Sequence, residues 1–170
     1  MGSKPSDSGC GPTRYCCELA SRSCWGDPDE ASLSRYDNVR TSDDAFHLAI
    51  PARDLDEAEA FYVKLLGCKL ARRYADRITL DFFGDQLVCH LSDRIDDDPQ
   101  MYPRHFGITF RRREDFDALV RLARVRGAPF FAEPSQRFAG LVEEHSTFVL
   151  ADPSNNLIEF KHYVDPRMMY

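Results

Sequence analysis

The apolar positions of this chain fall into two matching runs. Phe46-His47-Leu48-Ala49-Ile50 opens a short strand pattern, and Asp54-Leu55-Asp56-Glu57 follows as an acidic helix start. Ala58, Phe61, Leu65 and Leu66 then form a helical apolar stripe that Gly67 ends. The series returns as Arg104-His105-Phe106-Gly107-Ile108, then Arg113-Glu114-Asp115 leading the stripe Phe116, Leu119, Val120, Ala123, which stops at Gly127. Each run closes on a hydrophobic strand carrying one residue of metal-ligand type. These are His90 in Gln86-Leu87-Val88-Cys89-His90-Leu91 and Glu159 in Asn156-Leu157-Ile158-Glu159-Phe160.

From Ala45 the pattern predicts a strand over 45–51, a helix over 54–66, and strands over 68–75, 77–83 and 86–92. After an acidic linker, Asp93–Pro103, come a strand over 104–111, a helix over 113–126, and strands over 128–133, 145–151 and 156–163. Residues 134–144, with Pro134 and Gly140, read as a loop. Each half is β-α-β-β-β. Neither half alone buries both faces of its sheet, so the two are expected to pair into one curved, cupped mixed sheet with helices outside, an α+β fold. The expected domain spans 44–166, with modules 44–92 and 104–163. The mouth of the cup lies under the 134–144 loop.

Residues 1–43 differ: Ser, Gly, Pro, Asp and Arg dominate and no period persists, as in a flexible tail with at most a short helix near 14–20. Met1-Gly2-Ser3-Lys4-Pro5-Ser6 matches the N-myristoylation pattern, with Cys10 placed for a second acyl chain; an ordinary chain start is the favoured reading. Four of the six cysteines (Cys10, Cys16, Cys17, Cys24) fall in this tail without a CxxC pair or a nearby His, which argues against zinc. Cys68 and Cys89 read as buried small hydrophobes of a reducing compartment. The formal charge of -6 over 170 residues argues against a nucleic-acid partner. No apolar run reaches the roughly 18–20 residues of a membrane span, and no secretory h-region is seen, so a cytoplasmic protein is expected.

Strand alternation places His47 with Ala45 and Ala49, His105 with Gly107 and Thr109, Glu159 with Leu157 and Lys161, and His90 with Val88 and Gln86. Small neighbours beside both first-strand histidines leave a hollow for an ion and a substrate. Two imidazoles and one carboxylate make the facial set used by non-haem Fe(II) oxygenases; with His90 the set is three His and one Glu. Such donors suit Fe(II), Mn(II), Ni(II), Co(II) or Zn(II) better than Mg(II) or Ca(II). A carboxylate inside Leu-Ile-Glu-Phe is expected to be buried without a partner unless a metal binds it. Gln86 shares the His90 face and is a candidate substrate contact. Arg72 and Arg137 are candidates to hold an anionic substrate group. Glu144 and His145 are placed at the cup mouth, and Tyr62 in the core.

These motifs together, with Ala60-Phe61-Tyr62, Leu66-Gly67-Cys68, Phe83-Gly84-Asp85 and Asp152-Pro153-Ser154-Asn155, resemble the vicinal oxygen chelate superfamily over residues 45–163. That group holds glyoxalase I, extradiol dioxygenases and the fosfomycin and bleomycin resistance proteins. The resemblance implies metal positions at His47, His90, His105 and Glu159, with His90 and Glu159 also catalytic, and a small substrate chelated through two adjacent oxygens. Glyoxalase I carries a glutamate at the place assigned to His90. The His, His and Glu count favours Fe(II) dioxygenase-like chemistry. The rivals are a glyoxalase I-like lyase or isomerase, with Glu159 as ligand and base, and a non-catalytic drug- or metabolite-binding protein. A homodimer is expected, because members of the group pair their modules within a chain or swap them between chains.

Overall fold

Asp54 is a fixed point of the first half. In the computed structural model, which describes residues 43–170, its Oδ1 accepts hydrogen bonds from the backbone N–H groups of Asp56 (2.7 Å) and Glu57 (3.0 Å) and caps the helix that follows. The expectations for the tail, including Gly2 acylation and a helix near 14–20, fall outside the described residues. Helix α1 is Leu55–Glu59, and it runs on as a π-helical stretch, Ala60–Leu65, where the expected helix was of one kind. Bonds reaching back five or six residues, Leu66 N to Phe61 O and Cys68 N to Tyr62 O, close its end.

The remaining elements are β1 (His47–Ala52), β2 (Lys69–Arg73), β3 (Arg77–Phe82), β4 (Asp85–Leu91), β5 (Phe106–Thr109), α2 (Arg113–Val125), β6 (Phe130–Arg137), β7 (His145–Ala151) and β8 (Leu157–Tyr163). They make two four-stranded mixed sheets of identical plan, β1-β4-β3-β2 and β5-β8-β7-β6. In each, the first strand lies parallel to the last and the other pairs are antiparallel. This is the paired βαβββ architecture, as two separate hydrogen-bonded sheets where one continuous sheet was expected. Strand β6 runs to Arg137, four residues into the segment read as loop. It lies on a sheet edge and shifts register between Ala132 and Ser135, which is where an edge strand tolerates Pro134.

Residues Ala45–Tyr170 form one unit, and its core draws on both modules. Phe82 meets Phe106 at 5.8 Å between ring centroids, and Phe83 meets Phe160 at 6.0 Å. Tyr62 is fully buried and donates to Asp152 Oδ2 at 2.9 Å; Asn156 Nδ2 donates both to that oxygen and to the Pro51 carbonyl. The turn at Asp152 is thereby tied to the first module by polar as well as apolar contacts. Burial pushes the thiols of Cys68 and Cys89 up to about 12.

Candidate functional site

Gly107 decides how the second sheet is assembled. A Cβ there would stand 1.7 Å from the backbone oxygen of Glu159, so only glycine lets β5 lie against β8 at this point. The register pairs Gly107 with Glu159 and leaves His105 two residues earlier. The His105 Nε2 is 3.0 Å from Glu159 Oε2, the Lys161 ammonium is 2.8 Å from the same oxygen, and Thr147 donates its hydroxyl to Oε1 at 2.7 Å. Glu159 is only 5 % exposed. The expectation of an unpartnered carboxylate is thus corrected: Lys161, one alternation along β8, and Thr147, across on β7, supply donors that single-strand reading did not assemble. Among the described residues no buried side-chain polar atom lacks a partner.

The tautomer of His105 follows from its other nitrogen. Nδ1 lies 2.8 Å from the Met101 carbonyl, which only accepts, so the neutral ring carries its proton on Nδ1 and a lone pair on Nε2. That lone pair faces the carboxylate oxygen. Two acceptors held so close are favourable only around a shared cation or proton, and the donor set of imidazole nitrogen and carboxylate oxygen fits a divalent transition metal.

His47 is held in the same way at the start of β1. Its Nδ1 donates to Gln86 Oε1 at 2.6 Å, which leaves Nε2 free to bind, and the side chain is exposed. Ala49 and Gly107, the small residues beside the two histidines, are both exposed although they lie within strands. The β1–β4 register pairs His47 with Gln86, Ala49 with Val88 and Pro51 with His90. Matched against Gly107 and Glu159, this makes Val88 the first-module equivalent of Glu159. His90 sits four residues along β4 from Gln86, roughly 13 Å at strand spacing. It is exposed there, opposite Pro51 and Arg77. Among the described residues no three His, Cys, Asp or Glu side chains converge, so His47 does not join the His105–Glu159 pair within the chain.

The other candidates scatter. Arg72 is exposed on β2, the edge strand of the first sheet. Arg137, at the end of β6, has Nη1 3.5 Å from the Tyr102 hydroxyl, and the Tyr102 ring meets His105 edge-on at 5.6 Å. Arg137 therefore borders the site, and Tyr102 and Thr147 are members of it that residue type alone did not flag. His145 is buried rather than at a mouth: its Nδ1 is 2.8 Å from the Glu143 carbonyl and its ring packs on Tyr163. The carboxylate of Glu144 is taken up by Gln136 and the Gly140 N–H. A separate crevice of about 620 Å³ runs along β1 and the 94–106 linker and reaches His105 but not Glu159. Among the described residues no helix is long and apolar enough to cross a membrane.

No curated protein matches the chain. A structure described as a glyoxalase/bleomycin resistance protein/dioxygenase from Alicyclobacillus acidocaldarius is 71 % identical, covering 77 % of this chain and 99 % of its own, with a TM-score of 0.75. The fosfomycin resistance protein FosX from Listeria monocytogenes shares the fold at 14 % identity and TM-score 0.58, over 74 % of this chain and 97 % of its own. A lactoylglutathione lyase from Agrobacterium tumefaciens does so at 19 % and 0.54, over 70 % and 92 %. The family model of the Glyoxalase/Bleomycin resistance protein/Dioxygenase superfamily matches residues 45–160, a stretch that holds every candidate ligand and all but the end of the last strand, and the chain belongs to that superfamily.

Proposed function

We propose that the protein is a metal-dependent enzyme acting on a small substrate chelated through two adjacent oxygens, with His47, His105 and Glu159 as ligands. The observation that carries this is the His105 Nε2 held 3.0 Å from Glu159 Oε2, with Nδ1 turned to the Met101 carbonyl. Glu159 has its second oxygen fixed by Thr147, and His47 has its ring fixed by Gln86, so both donors are oriented before an ion arrives. When bound, a divalent ion supplies the Lewis acid that gathers the two substrate oxygens and, as Fe(II), the redox centre for oxygen chemistry. Because His47 stands apart from the other two ligands, the site is completed by a second copy of the chain: the His47 of one protomer meets His105 and Glu159 of its partner. Tyr102 and Arg137 border the substrate space, where the guanidinium suits an anionic group. The proposed setting is cytoplasmic, where Cys68 and Cys89 stay reduced.

Val88 at the place equivalent to Glu159 favours the three-ligand, dioxygenase-like reading over a glyoxalase I-like lyase, which uses a second glutamate there. The test is metal content of protein purified without chelators. Near-stoichiometric iron in wild type, lost in His105→Ala and Glu159→Ala and kept in His90→Ala, is expected, together with oxygen-dependent turnover. Nickel, cobalt, manganese or zinc with turnover in the absence of oxygen would move the assignment to the lyase. Binding of a small molecule unchanged by His47→Ala and Glu159→Ala would leave a non-catalytic binder.

A further inference from the structure

We propose that Lys161 is a built-in competitor for the metal position: its ammonium contacts Glu159 Oε2, the oxygen an ion shared with His105 would take, and must leave when an ion takes it. The inference rests on the metal-dependent reading above. Three observations converge on it. Lys161 and Glu159 lie on the same face of β8, and the Nζ–Oε2 distance is 2.8 Å. The oxygen it holds is the one turned to the lone pair of His105, hence the one an ion shared with His105 would take. The other carboxylate oxygen accepts from Thr147, so the ammonium and the hydroxyl divide the two oxygens between them.

Thr147 and Lys161 therefore act in opposite senses although both donate to one carboxylate. A neutral hydroxyl orients the ligand and leaves its charge available. An ammonium neutralises that charge, and at contact distance it repels a divalent ion strongly in a half-buried site. The flexible four-carbon stem lets Lys161 swing away, with its side chain a quarter exposed and solvent within reach. Metal affinity is then lower than the ligands alone would give, and ion entry frees a cation inside the site.

The experiment titrates Mn(II) into the full chain by electron paramagnetic resonance, comparing wild type with Lys161→Gln and Lys161→Arg. Gln keeps a hydrogen-bond donor and loses the charge; Arg keeps the charge. The expected result is about tenfold or tighter binding by the Gln variant, with the Arg variant like wild type. In wild type alone, Mn(II) should increase the rate at which Lys161 is acylated by an N-hydroxysuccinimide ester, read peptide by peptide. Equal or weaker binding by Lys161→Gln, or protection of Lys161 by Mn(II), overturns the proposal and leaves the metal-dependent reading standing. No binding by wild type or either variant overturns both; binding by Lys161→Gln alone supports both.

Discussion

A single methyl group at position 107 would break the contact on which the second half of the site depends. Alanine there would collide with the backbone of Glu159 at 1.7 Å, so β5 and β8 would have to part. Gly107→Ala is expected to cost about 3 kcal/mol in urea unfolding and to abolish metal retention even in the folded fraction. Asp152 offers a titration to read. Burial raises its carboxyl above the ordinary value of 3.8, against the opposing donors Asn156, Tyr62 and Ser154. The folded state therefore binds the proton more tightly than the unfolded one. The contribution of Asp152 to stability is largest at low pH and declines as pH rises through its raised value. Asp152→Asn cannot ionise, so the stability gap between wild type and the variant should narrow as pH rises above the ordinary carboxylate range. A gap that widens would contradict burial as the dominant cause.

At the scale of elements, the first helix depends on its cap. Asp54→Ala removes both acceptor contacts to Asp56 and Glu57 and should lower stability by about 1 kcal/mol, measured by thermal unfolding. The acidic helix starts, the glycine stops and the duplicated strand-helix order were all legible in the sequence, because each is a local signal repeated at matching spacing. The π-helical turn at Ala60–Leu65 was not, since its longer bonds leave the apolar stripe Phe61, Leu65, Leu66 unchanged. Nor was the extension of β6 through Pro134, which depends on that strand being an edge. His47, His105 and Glu159 stood out by residue type and placement. What single-strand alternation could not give was register between strands. It equated His90 with Glu159, whereas pairing of β1 with β4 makes the equivalent Val88. The same limit hid Thr147, which meets Glu159 from a neighbouring strand.

At the scale of the whole molecule, both modules share one core within one chain while the proposed ligands divide into two groups. A dimer in which each chain lends His47 to the other makes a prediction that a monomer does not. His47→Ala and Glu159→Ala should each lose metal alone. Unfolded together and refolded as a mixture, they should regain roughly a quarter of the wild-type metal, since half the dimers are mixed and each of those holds one intact site of two. No recovery, in a mixture that light scattering shows to be dimeric, would place all three ligands in one chain. The two modules share a backbone plan, and at the matched position one carries a carboxylate and the other a buried isopropyl group. Val88→Glu should unsettle the metal-free fold, because an unpartnered carboxylate would be buried there. It should become tolerable once an ion is supplied, so that the melting temperature of this variant becomes a gauge of the ion.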